Sequence, residues 1–337
     1  MGKPLIIGLL IPLLVGMLTG CGTSNDTGNV ETTNPQNKPA PQTIPAHQDV
    51  NQKPTPIKIE RISDHKVKVE MTAQVTDIEI DQGVTYKAWT FNGEAPGPLI
   101  AVNEGDTIRF TLENHDPAIP HSMDFHAVHA SPSKKFIDIA SGQSKTFTYT
   151  ASKPGVFMYH CGTEPVLQHI ANGMHGVIIV KPKNGYPTDS QVDREFTLIQ
   201  NEWYAENDLD AMTEKQPEYV VFSTKALKKG DRNTNGTTYQ LKEKPLKAKA
   251  GEKVRLYVLN AGPNQVSSFH VVGTLFDNVY LDGNPKNRFK GMQTVMLPAS
   301  GGAVVEFTVK EAGTYPIVTH QFHHAQKGAV ALLEVTD

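Results

Sequence analysis

The chain has 337 residues, with 32 Lys or Arg against 35 Asp or Glu, a formal charge of −3 and two cysteines. That length allows two substantial hydrophobic cores, so no disulfide is needed to hold them. The near balance of charge, with no basic run interleaved with aromatics, argues against nucleic acid as a partner.

The chain opens with Lys3, an apolar run from Pro4 to Met17 and then Leu18-Thr19-Gly20-Cys21. A basic start, a short apolar core and small residues before a break mark residues 1–20 as a secretory signal rather than a membrane-spanning helix. The Leu-Thr-Gly-Cys ending resembles the bacterial lipoprotein box, in which cleavage precedes the cysteine and its thiol takes diacylglycerol; an ordinary signal peptide with an incidental cysteine is the alternative. Acyl chains on Cys21 would hold an exported domain at the outer face of the cell membrane. Residues 21–56 are Asn, Thr, Gln, Pro and Gly with hardly an apolar side chain. Such a composition cannot repay the entropy of ordering and reads as a flexible tether, with His47 a solvated residue of it.

From Ile57 the pattern changes. Lys66 to Val75 alternates polar and apolar residues, as a half-buried strand does. Further strands are predicted at Val84 to Phe91, Leu99 to Val102, Asp106 to Leu112, Lys145 to Thr150, Val156 to Tyr159 and Gly176 to Val180. Turn chemistry separates them, as in Asn92-Gly93, Pro96-Gly97-Pro98 and Lys153-Pro154-Gly155. Many short strands at this spacing make residues 57–182 a β-sandwich. Lys181 to Ser190, with Pro182, Gly185 and Pro187, reads as a connection to a second domain at 191–337. There Glu195 to Gln200, Leu246 to Ala250 and Val254 to Asn260 are predicted strands, while Leu209 to Lys229 is irregular, with loops or a short helix. Gly105 to Asn114 and Gly251 to Asn260 share Gly-x2-hydrophobic-Arg-x4-Asn, an internal repeat of a whole domain.

The chemistry gathers around Met158-Tyr159-His160-Cys161. Cys161 offers a thiolate, His169 an imidazole and Met174 a thioether; with a further imidazole, for which His121 is the candidate, these form the His2Cys site with weak axial Met that holds copper for electron transfer. Neighbouring side chains on an extended segment point in opposite directions. If Cys161 faces one metal, His160 faces elsewhere, and so does His126 relative to His121. His126 and His160 are then two thirds of a second, all-nitrogen site. The second domain repeats the plan without a cysteine, leaving His320 free as the third imidazole. Within one chain His320 cannot easily reach the other two, so a head-to-tail ring of subunits is the natural solution.

His121-x2-Asp124-x-His126, Tyr159-His160-Cys161, His169-x4-Met174, Phe269-His270-Val271-Val272-Gly273 and Val318-Thr319-His320 together resemble the copper-containing nitrite reductases that release nitric oxide. The resemblance covers roughly residues 60–337, although the loop from Cys161 to His169 looks one residue shorter than in the best-known members. It implies an all-β fold of two tandem cupredoxin-like Greek-key sandwiches, a homotrimer and two copper ions per chain. The type 1 copper would take His121, Cys161, His169 and Met174; the type 2 copper would take His126 and His160 with His320 of a neighbouring subunit. It further implies that Asp124 holds nitrite and supplies a proton, that His270 handles another through water, and that Val272 is the apolar residue over the catalytic copper. Electrons would come from a small cytochrome c or cupredoxin docking at the exposed edge of the first copper.

Several residues read as bystanders: His115 and His129 as solvated or supporting, His175 as surface or interface, His323 and His324 as neighbours of His320, and Met123 and Met158 as packing residues. A laccase-like multicopper oxidase is the first alternative, but it needs about eight histidines in His-x-His pairs, and none occurs in the chain. A cupredoxin electron carrier without enzymatic activity is the second; it leaves His126, His160, Asp124 and His320 without a task.

Overall fold

The computed structural model describes residues 50–205, 207–227 and 234–337, all within the compact unit Pro41–Asp337. The signal segment, Cys21 and His47 lie outside the described residues. Among the described residues no helix is long and apolar enough to cross a membrane.

Two β-sandwiches follow one another. In the first, Lys58–Ser63, Lys66–Asp81, Thr107–Asn114 and Ser144–Thr150 form a sheet in that order, with Val84–Phe91 also pairing to Lys66–Asp81. The facing sheet runs Ile100–Asn103, His175–Lys181, Gly155–His160, Asp124–Phe125. Between them lie Val67, Val69, Met71, Ile108, Phe110, Leu112, Phe125, Tyr159 and Ile178, the apolar halves of alternating strands.

The second sandwich repeats this connectivity. Lys66–Asp81 lies parallel to Thr107–Asn114, and Arg194–Trp203 parallel to Lys253–Gly262; Ile100–Asn103 lies parallel to His175–Lys181, and Leu246–Lys249 parallel to Val330–Thr336. The repeated asparagine has one task in both halves. Asn114 Nδ2 donates to the carbonyls of Ile119 and Ile139 at 2.9 and 2.8 Å, and Asn260 Nδ2 to those of Gln265 and Leu297 at 2.8 and 3.1 Å, each pinning the loop that leaves its strand. The repeated arginines diverge: Arg109 is exposed, whereas Arg255 is buried against Glu306.

The four-stranded sheet of the first sandwich is covered on both faces. Val156, Met158, Val177 and Ile179 pack against Tyr257, Leu259 and Val304 of the second, which is why Val177 to Val180 is a continuous apolar run. Lys225, fully buried, also bridges the sandwiches, its Nζ 2.6 Å from Glu94 Oε2. Replacing Glu94 with alanine strands that ammonium and should cost about 3 kcal/mol, the low end for a broken buried pair because Glu94 itself keeps some solvent contact. Urea denaturation of wild type and variant measures it.

Three features depart from the sequence reading. The tether does not extend to residue 56, since the Gln52 and Thr55 N–H groups donate to Val75 and Asn92 carbonyls at 2.8 and 3.0 Å, and Gln74 Nε2 donates to the Lys53 carbonyl at 2.8 Å. Backbone and side-chain hydrogen bonds, with Val50 packed against the core, order this mostly polar segment. The irregular stretch holds the expected short helix, Leu209–Glu214, capped by Asp208, but also a strand that was not expected, Tyr219–Ser223, paired to Arg194–Trp203. The edge strand Lys58–Ser63 is exposed throughout, so it carries no alternating signal.

Candidate metal centres

Cys161 follows directly on the strand Gly155–His160, and the chain then makes the short helix Val166–Ala171 that carries His169. Its return is fixed by hydrogen bonds: the Met174 N–H donates to the His169 carbonyl and the Cys161 N–H to the Met174 carbonyl, both at 3.1 Å. Gly173 makes the turn at φ 111°, where a Cβ would lie 3.0 Å from both the Ala95 Cβ and the Trp89 carbonyl oxygen. Only glycine fits there.

One donor atom each from His121, Cys161 and His169 lies within 4.8 Å of the others, and all three residues are buried. His121 Nδ1 is 3.2 Å from His169 Nδ1 and 3.8 Å from Cys161 Sγ. Burial pushes the His169 pKa down to about 4, so its ring is neutral at neutral pH with a lone pair to give. Burial alone would raise the Cys161 thiol, but His121, Thr163 and the Ser122 N–H outweigh it and bring the thiol below its usual range. A neutral imidazole at His169, a second imidazole at His121 and a thiolate-prone sulfur, buried together, fit a copper of the electron-transfer kind. Met174 is fully buried and tied by its backbone to both Cys161 and His169.

The second group lies across one peptide bond. Asp124 pairs with His160 and Phe125 with Tyr159 on adjacent antiparallel strands, and donor atoms of Asp124, His126 and His160 fall within 4.8 Å of one another. His160 Nδ1 donates to the Cys161 carbonyl at 2.8 Å, leaving Nε2 as the free lone pair, 3.1 Å from His126 Nε2. Asp124 Oδ2 stands 3.8 Å from His160 Nε2. Crowding by the surrounding protein, and then His160, lowers the His126 pKa despite the nearby Asp124 carboxylate. Two imidazoles, that of His126 exposed and that of His160 buried, suit a metal that must also accept an anion.

His270 and His320 lie elsewhere, on the face of the second sandwich. Their rings are 5.0 Å apart, and His320 meets Phe322 edge-on at the same distance. His270 Nδ1 donates to the Gln293 carbonyl. This face is open: Val272 is 41 % exposed, Met296 59 % and Phe322 60 %. Among the described residues neither donor group includes His320.

The multicopper oxidase family profiles match residues 72–185 and 208–337. The copper-containing nitrite reductase of Neisseria gonorrhoeae is 40 % identical over 294 residues, 83 % of this chain and 71 % of that protein. The chain belongs to the copper-containing nitrite reductases. The solved structure of the copper nitrite reductase from Nitrosomonas europaea agrees, with 41 % identity, a TM-score of 0.73 and coverage of 81 % of this chain and 94 % of that one. A multicopper oxidase of known structure shares the two-domain fold at a TM-score of 0.71 and 26 % identity, covering 83 % of this chain and 93 % of that one.

In this reductase the bystanders mostly sit as expected. His115 and His129 are exposed, and Met123 and Met158 are buried packing residues. His175 is a correction. It is not a surface residue: it is fully buried, with Nδ1 3.1 Å from the Ile170 carbonyl, because its strand is covered on both faces. His169 is likewise closed off from solvent. It is buried beneath Trp89, whose ring centroid is 4.8 Å away, while its helix packs through Leu167 and Ala171 on Tyr204 and Met212 of the second domain.

Four residues around the thiolate group were not singled out by sequence. The Ser122 N–H donates to Cys161 Sγ at 3.3 Å, and Thr163 Oγ1, which donates to Asp138 Oδ1 at 2.8 Å, lies 3.1 Å from Ser122 Oγ. Trp89 packs against His169 with the rings tilted at 54°, and Asp116 Oδ2 accepts from His121 Nε2 at 3.1 Å. Ser122 adjoins a ligand, which was a usable signal. Thr163, two residues after Cys161, offered a similar signal, whereas Trp89 and Asp116 reach the site only through tertiary folding.

Proposed function

We propose that this chain reduces nitrite by one electron to nitric oxide, with uptake of two protons and release of one oxygen as water. When bound, copper at His121, Cys161, His169 and Met174 accepts single electrons from a donor, and copper at three imidazoles holds nitrite as an anion and delivers the electron to it. The observation that carries this reading is the arrangement of the two donor groups back to back across the peptide bond between His160 and Cys161, which makes a covalent path two residues long.

Asp124, 3.8 Å from His160 Nε2 and partly open to solvent, is positioned to hold an oxygen of nitrite and give it a proton. The third imidazole is His320 of a neighbouring subunit. With it come His270, which passes the second proton through water, and Val272, which narrows the cavity without donating to the anion. A homotrimer closed head to tail covers the exposed face around Val272, Met296 and Phe322 and completes each site. The donor is a small cytochrome c or cupredoxin, paired weakly by charge because the net charge of −3 is small. We also propose that residues 1–20 are removed and that lipid on Cys21 anchors the exported protein.

The test is His320→Ala. Copper content should fall from two to one per chain, nitrite turnover should vanish, and the visible colour of the thiolate centre should persist. Loss of both coppers together would count against His320 as a bridging ligand.

A further inference from the structure

The His121 imidazole is held from behind by a carboxylate. Asp116 Oδ2 accepts from His121 Nε2 at 3.1 Å, and both side chains are 0 % exposed. The other oxygen, Oδ1, accepts from the Ala118 and Ile119 N–H groups at 2.9 and 3.1 Å, while the Asp116 N–H donates to Asn114 Oδ1 at 2.9 Å. The carboxylate is thus locked in place by the N–H groups of its own turn, whose backbone is held by the same asparagine that pins the loop, and Nδ1 is the ring nitrogen of His121 left to face Cys161 and His169.

We infer that Asp116 is a positioning residue that sets the reduction potential of the thiolate copper, making it harder to reduce than the His2CysMet set alone would. This rests on the assignment of that copper to His121, Cys161, His169 and Met174. A carboxylate on the distal nitrogen fixes the tautomer and raises the basicity of the ligating nitrogen. A full negative charge in a buried site also favours the more positive metal, because little solvent screens it. Oxidised copper carries one more positive charge than reduced copper, so both effects stabilise it. Of the other acids near the centre, Asp138 is hydrogen-bonded to Thr163 rather than to a ligand.

The experiment is spectroscopic redox titration of the visible band at one pH in wild type, Asp116→Asn, Asp116→Glu and Asp138→Asn. Asp116→Asn keeps an oxygen for the turn but presents no charge to His121. At a fixed solution potential its reduced-to-oxidised ratio should rise at least tenfold, about 59 mV for one electron, with the band retained. Asp116→Glu should return towards wild type, and Asp138→Asn should shift less than Asp116→Asn. A coloured Asp116→Asn protein titrating within threefold of wild type would overturn the inference, as would an equal shift in Asp138→Asn. Loss of colour in both Asp116 variants would also overturn it, since the turn rather than the charge would then be what the residue supplies. A colourless wild type would instead overturn the copper assignment itself, and this inference with it.

Discussion

Replacing Cys161 with alanine is expected to bleach the protein completely and to stop donor-driven nitrite reduction. Cys161 is the one thiolate of its group, and its sulfur is fully buried, brought below the usual thiol range by His121 and receiving the Ser122 N–H at 3.3 Å. Thiolate-to-copper charge transfer requires that sulfur, and no other cysteine among the described residues can replace it. The change is also local. His160 keeps its Nδ1 hydrogen bond, because the acceptor is the backbone carbonyl of residue 161 rather than its side chain. The all-nitrogen site should therefore still load copper and should accept electrons from a small chemical reductant that bypasses the first centre. Absorption spectra, metal analysis and turnover with each reductant check this. A variant that remains coloured would mean that the thiolate ligand has been misassigned.

Asp124→Asn should leave both coppers and the visible spectrum unchanged while turnover falls roughly 10²- to 10⁴-fold, as for removal of a positioned proton-transfer group. That corresponds to about 3–5 kcal/mol of transition-state stabilisation. The residue sits on the short strand facing His160, and its carboxylate oxygen at 3.8 Å is close enough to meet an anion held by the same imidazole. Asparagine keeps the size and one accepting oxygen but holds no proton to transfer. Two protons are consumed per nitrite, so wild-type turnover should also decline as pH rises. Nitric oxide production across pH, with copper content measured in each sample, decides the matter. A fully metallated variant working at the wild-type rate would remove Asp124 from the mechanism, and a metallated wild type making no nitric oxide would overturn the functional reading.

Most of the fold and the two ligand groups were legible in the residues because they depend on local periodicity. Alternation along a strand sends His160 and Cys161 to opposite faces, and the structure places them in two separate donor groups. Asp124 and His126, two apart, share a face for the same reason. The repeat of Gly-x2-hydrophobic-Arg-x4-Asn announced two related domains, and Asn114 and Asn260 do the same work in both. Tertiary structure alone decided the rest. Burial of His169 and His175 follows from a sheet and a helix covered by the second domain, and periodicity within the first domain cannot register that cover. Asp116, next to a histidine read as solvated, is buried by the fold and meets His121, five residues on, through a loop with no regular spacing. Hydrogen bonds to a ligand depend on where backbones cross in space, whereas strand and ligand patterns depend on where residues fall along the chain.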